Sequence, residues 1–163
     1  MDSASETPPW EELYRYWLDR HADGKPPTRA AIDPMIELRH LASYLIIIDV
    51  HAGRSEYRLV GSTVVSHFGV DHTGKLVGTS DVDEQQVKAW RNTVDFVARE
   101  RKPYLLLSHY PRAEKTKTIA MLMPLSPDLD GVVKLLGATF FGWPFPDTAA
   151  YPELIVEKVE LDV

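Results

Sequence analysis

Residues 58–74 read RLVGSTVVSHFGVDHTG, and the order of elements in this stretch decides how the chain folds. Arg58, Leu59 and Val60 end a strand, and Gly61 makes a tight exit from it. Ser62 or Thr63 then caps a short helix carrying Val64, Val65 and Phe68, which Gly69 closes. Asp71-His72-Thr73-Gly74 is turn chemistry. A strand that turns through one glycine into a short helix builds a corner. The chain before this corner reads as a cap, and the chain after it reads as the other wall of a small compartment.

Working back from the corner, residues 56–61 alternate, with Tyr57 and Leu59 on one face and Arg58 and Val60 on the other. The turn at 51–55 joins them to residues 44–50, YLIIIDV, whose β-branched run is apolar on both faces and predicts a strand buried on both sides. Asp33-Pro34 opens a short helix through Met35, Ile36, Leu38 and Leu41. In the loop before it, Arg29 is expected to tie the chain to a carboxylate. Still earlier, Trp10, Leu13, Tyr14, Trp17 and Leu18 have the spacing of an amphipathic helix, with Thr7 as its cap, Pro8 and Pro9 at its start and Gly24 beyond its end. Residues 1–6 read as a loose polar tail.

Working forward, residues 80–83 supply a cap for a longer helix whose buried stripe is Val87, Trp90, Val94, Val97 and Ala98, ended by Pro103. Three strands come next. Residues 104–110 are apolar on both faces, and 111–115 is a polar turn. Residues 116–125 alternate, with Ile119, Met121 and Met123 opposite Ala120 and Leu122. After the turn SPDLDG at 126–131 comes a strand over 132–141, with Lys134 toward solvent. Residues 154–163, LIVEKVELDV, read equally as an edge strand or a docking arm.

At 163 residues with 44% hydrophobic and 26% charged residues, the chain suits one globular domain with a proper core. Its net charge of −6 lacks the footprint of a nucleic-acid binder. With no cysteine, disulfides, thiolate metal sites and a cysteine nucleophile are excluded. The N-terminus has no secretory pattern, and the apolar run 44–48 is far short of the ~20 residues of a membrane span. A cytoplasmic protein without nucleic-acid or membrane partners is the expectation. Strands in hairpins with helices grouped between them argue an α+β fold on one antiparallel sheet.

That element order resembles the PAS fold, an antiparallel five-stranded sheet with helices on one face, here with an N-terminal helical cap. The motifs PTRAAIDP at 27–34, RLVG at 58–61 and GVDHTG at 69–74 are similar to those of a family of small stand-alone bacterial PAS-domain proteins, found largely in alphaproteobacteria. The likeness runs from about Trp10 to Gly142. It divides the chain into a tail and helical cap over 1–42, a PAS-like domain over 43–142, and a C-terminal extension packed on the same domain over 143–163. It implies a sensory or protein-interaction role and supplies no catalytic set. The length leaves no room for a linked output domain, so a signal is expected to leave through a surface, by homodimerisation or by binding a signalling-protein partner.

Catalytic constellations are weak. Ser66-His67 lacks a nucleophile elbow, and the six histidines show no zinc-enzyme spacing. The glycines at 69 and 74 lack the spacing of a phosphate loop. A haem would need His67 or His72 as axial ligand, and the long helix offers none. Flavin photochemistry through a cysteine is closed. The cofactor is left unassigned.

The ligand hypothesis rests on position. Tyr57, Leu59, Trp90, Val94, Met121, Met123 and Leu135 are expected to converge between sheet and long helix, with Arg58 and His109 as polar residues among apolar strand neighbours. Tyr57, Trp90, Val94, His109, Met121 and Met123 are the candidate ligand contacts. The expected function is a non-catalytic sensory domain that binds a small ligand or a protein partner. Its rivals are a small α+β enzyme using the same cavity and a dimerisation module with a filled core. A cavity reaching roughly 300 Å³, the lower end for ligand sites, separates the first from the last. The strands apolar on both faces also need a cover on the outer face, and the Trp10/Trp17 helix is the candidate, from its own chain or a dimer mate.

Overall fold

A sheet whose strands are apolar on both faces must be covered on both, and the chain's helices divide to do so. The computed structural model describes residues 6–51, 54–78, 84–109 and 117–160. Along these run α1 (Pro9–Asp19), α2 (Pro34–Glu37), β1 (Leu45–His51), β2 (Arg54–Val60), α3 (Ser62–Phe68), α4 (Glu84–Glu100), β3 (Tyr104–His109), β4 (Lys117–Pro124), β5 (Val133–Phe141) and β6 (Ile155–Glu160). The expected cap at 80–83, the turn at 111–115, the centre of the turn at 51–55 and the tail at 1–5 lie outside the described residues.

The strands lie in the order β2-β1-β5-β4-β3-β6. Neighbours are antiparallel except β6, which runs parallel to β3. The sheet is therefore six-stranded and mixed, not five-stranded and antiparallel. The reason is the C-terminal tail. β5 and β6 point the same way, so the chain must cross over between them, and residues 142–154 make that crossing over the α1 face.

Along each strand the alternation sorts side chains into two cores. One gathers Leu45, Ile47, Leu105, Met121, Met123 and Phe140 beneath α1, with Trp10, Leu13, Tyr14 and Trp17. The other gathers Ile46, Ile48, Leu106, Ala120 and Leu122 beneath α3 and α4, with Val64, Val94 and Val97. The outer face is covered in cis. Trp17 donates its indole Nε1–H to the Pro124 carbonyl at 2.9 Å.

Tyr151 straps α1 down from the crossover. It meets Trp10 and Tyr14 edge-on, accepts from Arg15 Nε at 2.8 Å and donates to Glu11 at 2.7 Å. α1 departs from expectation in three details: its N-cap is Pro8 rather than Thr7, Leu18 is exposed, and Tyr16 is buried instead. Tyr16 sits under the Arg20 guanidinium and donates to Glu37 at 2.8 Å. Arg29 donates to the Ile32 carbonyl at 3.0 Å, a backbone acceptor where a carboxylate is expected.

The corner at Gly61 is a close approach. Its amide donates to the Leu45 carbonyl at 2.8 Å, and a Cβ built there would lie 2.2 Å from the Ser43 carbonyl oxygen. Only glycine fits. Gly69 ends α3 in the left-handed region at φ 75°, as the sequence predicts. Among the described residues no helix is long and apolar enough to cross a membrane.

Candidate functional site

The phase of β2 changes at Arg58. Ile47 pairs with Leu59 and Ile48 with Tyr57, so Arg58 is the extra residue of a β-bulge. The bulge overturns the simple alternation: Tyr57 and Val60 face α3 and α4, Leu59 faces α1, and Arg58 points to solvent. The outer edge of β2 is closed by the loop after α3. Tyr57 N donates to the Lys75 carbonyl at 2.9 Å, and Gly74 N donates to the Tyr57 carbonyl at 2.7 Å. Tyr57 is thus held from both sides of its backbone.

Beneath α3 and α4 the two layers do not fill the space between them. A cavity of about 90 Å³ remains. Ile46, Tyr57 and Val60 form one wall, Val64 and Phe68 of α3 a second, Val87 and Trp90 of α4 a third, with His72, Leu76 and Gly78 from the intervening loop. Its floor is the sheet, where Leu106 and Ala120 are joined by the hydroxyl residues Ser108, Thr118 and Thr139. The volume falls below the roughly 300 Å³ that the sequence reading sets between a ligand site and a filled core. That outcome is on the side of the filled-core dimerisation module, and this compartment holds only a few heavy atoms.

The polar groups of the wall fall into two sets. Trp90 Nε1–H donates to the Tyr57 hydroxyl at 2.8 Å, joining α4 to β2 and leaving the phenol proton free to be donated. Burial pushes the Tyr57 phenol up to about 12, so it stays neutral. The second set is the floor. Ser108 and Thr118 face each other across β3 and β4, and Thr139 lies opposite Ala120, one diagonal step away. All three residues are over nine-tenths buried and line the cavity. The buried side-chain atoms without a partner among the described residues are Asp49 Oδ1 and Arg101 Nη1, and none of the three hydroxyls is one of them. Together they give an otherwise apolar floor of Leu106 and Ala120 three small hydroxyl residues, each able to donate and accept a hydrogen bond. No cluster able to hold a metal ion occurs among the described residues.

The structure brings Tyr57 and Trp90 into the wall and sets Val94 in the same core, fully buried and outside the lining. It corrects the placement of Met121 and Met123, which lie under α1 on the opposite face. Their alternation is as expected; the face is reversed, because Thr118 and Ala120 take the cavity side. His109 is also on the far face, at the end of β3. There its ring lies 6.3 Å from Phe145 and its Nδ1 3.9 Å from the Glu160 carboxylate. Leu135 is packed in the cavity-side core. The sequence reading passes over Ser108, Thr118 and Thr139. The signal for them is a small hydroxyl residue at a strand position that alternation assigns to a buried face.

Comparison with known proteins bears on the fold. Residues 5–140 match the family model described as PAS domain. Among solved structures, the PAS domain of BvgS from Bordetella pertussis is 17% identical at TM-score 0.50, covering 69% of this chain and 89% of that one. A fungal LOV domain photoreceptor is 14% identical at TM-score 0.46, covering 70% of this chain and 94% of that one. The LOV protein of Rhodobacter sphaeroides is 14% identical at TM-score 0.43, covering 68% of each chain. No functionally curated protein matches the sequence.

Proposed function

The chain belongs to the PAS domain family, and from that premise we propose that it is a non-catalytic sensory module whose signal is a small molecule in the cavity between sheet and α4. The observation that supports this reading is the cavity floor: three buried hydroxyl residues, Ser108, Thr118 and Thr139, grouped in a compartment whose other lining is mainly apolar, with Tyr57, Trp90 and His72 as its polar wall residues.

The Trp90–Tyr57 bond gives occupancy a route outward. A ligand that competes for the Tyr57 hydroxyl alters the tie between α4 and β2, and α4 is packed across β3, β4 and β5. The response is read by a partner surface, on a second copy of the chain or on a signalling protein.

Native mass spectrometry of the purified protein, paired with denaturing measurement of the released small molecules, tests the reading. A stoichiometric small molecule, released intact, is the expected result. A molecule recovered only in cleaved form would favour the enzyme reading. Protein that carries nothing and takes up no small probe in the cavity would overturn the sensory reading in favour of a filled-core dimerisation module.

A further inference from the structure

The chemistry of the compartment narrows what it takes. We propose that the cavity selects a small uncharged molecule with one hydrogen-bonding end, seated on the hydroxyls of Ser108, Thr118 and Thr139, and that it rejects carboxylates and amines. The inference rests on the proposed ligand cavity and adds the class of ligand.

Three observations lead to it. First, no Asp, Glu, Lys or Arg lines the cavity among the described residues. Arg91, whose side chain lies beside Gly78, is exposed to solvent. An ion taken into such a space would lose its water and gain no counter-charge, which is the costliest form of burial. Second, the polar groups present suit a neutral partner. Each floor hydroxyl can donate one proton and accept at its lone pairs. The Tyr57 hydroxyl, which already accepts from Trp90, has its proton left to give. Alcohols, ketones and amides match that set. Third, the three floor hydroxyl residues are grouped on β3, β4 and β5, while Val64, Phe68 and Val87 supply apolar wall from the helices, and Tyr57, Trp90 and His72 are the polar lining outside the floor. The ligand this fits has a polar end and an apolar body. At about 90 Å³, against the roughly 150 Å³ of a dry cavity that holds benzene, it has on the order of four or five heavy atoms.

The test uses probes matched in size: 1-butanol, propionate and butylammonium, with xenon as an apolar reporter of the cavity itself. Binding is read from amide chemical shifts of wall residues in the full chain at about pH 8, where propionate is an anion and butylammonium a cation. Xenon and 1-butanol are expected to shift the wall amides, with both ions at least about tenfold weaker than the alcohol. In Thr118→Val and Thr139→Val proteins, 1-butanol weakens several-fold while xenon binding persists, which also shows that the variants are folded. Propionate or butylammonium binding as tightly as 1-butanol would overturn selection for neutral ligands and leave the cavity reading standing. An unchanged affinity for 1-butanol in both valine variants would overturn the role of the floor. Xenon that shifts no wall amide would instead remove the cavity reading on which the inference depends.

Discussion

Trp90 Nε1 and the Tyr57 hydroxyl lie 2.8 Å apart, and this single bond joins the long helix to the bulged edge strand beside the cavity. Tyr57→Phe removes the acceptor and leaves the indole N–H without its partner. The expected loss is about 1–2 kcal/mol, read as a lower urea midpoint, with a shift in the Trp90 emission.

The same phenol predicts an alkaline transition. Burial raises Tyr57 to about 12, above the ordinary value of about 10 that it takes in the unfolded chain. A group raised on folding contributes its stability fully below the unfolded value and loses it as pH climbs through the folded one. The Tyr57 share, about 3 kcal/mol over two units, should therefore fade between about pH 10 and 12. Tyr16 is raised to about 12, mainly by burial and then by its bond to Glu37, and fades in the same window. Stability measured against urea across this range should fall less steeply in Tyr57→Phe than in the parent. Parallel slopes in the two proteins would contradict the assignment.

Gly61 and Gly69 bound the same short helix for different reasons, and alanine separates them. At Gly61 the added carbon meets the Ser43 carbonyl oxygen at 2.2 Å and its carbon at 2.4 Å. Both are backbone atoms that cannot swing aside, so Gly61→Ala should cost about 3 kcal/mol or more. At Gly69 the added carbon meets open space, and only the left-handed φ of 75° opposes it. Gly69→Ala should cost about 1 kcal/mol. Thermal unfolding of the two variants checks the order.

α1 is a structural cover. Trp17 is buried against the sheet with its indole committed to the Pro124 carbonyl, so Trp17→Ala combines a large cavity with an orphaned acceptor. The expected loss is about 3–5 kcal/mol. Deleting residues 1–24 bares the face formed by Leu105, Met121, Met123 and Phe140. That truncation should aggregate, which light scattering reads directly; a soluble truncation of parental stability would refute the covering role.

The sequence makes some of this legible because period and chemistry coincide. The Trp10–Trp17 stripe is a helix by spacing, and the unalternating strands at 44–50 and 104–110 demand cover on both faces, which α1 and α4 provide. The face of the Met strand is not legible. Alternation says that Met121 and Ala120 oppose each other, but not which of them meets α4. That choice depends on pairing with β3 and β5, where Ser108 and Thr139 fall on the same side as Thr118. The bulge at Arg58 is hidden for a related reason. It exists only as a mismatch with β1, so a period-two reading of β2 alone carries Leu59 to the wrong core. β6 is legible as a strand, yet its parallel place beside β3 comes from a crossover that local pattern does not encode.

The cavity floor yields a prediction of sign. If the Thr118 and Thr139 hydroxyls serve a ligand in the cavity they line rather than the sheet, they add little to folding in the protein without that ligand, where cavity water is their alternative partner. Valine has nearly the same shape and no such requirement. Thr118→Val and Thr139→Val should therefore leave the empty protein as stable or raise it by about 1 kcal/mol, while weakening the hold on 1-butanol. Gain of stability with loss of binding is the trade expected of a site. A hydroxyl that merely supported the sheet would behave in the opposite way. Its replacement would lower the unfolding temperature, and binding would weaken only as far as the fold itself did. Ser108, facing Thr118 across the strand pair, extends the comparison. Ser108→Ala lacks the methyl that valine keeps, so it adds about one small-group cavity cost, and its net change should fall below those of the two valine variants. Thermal unfolding of the three proteins, beside the 1-butanol titrations, decides between the two roles.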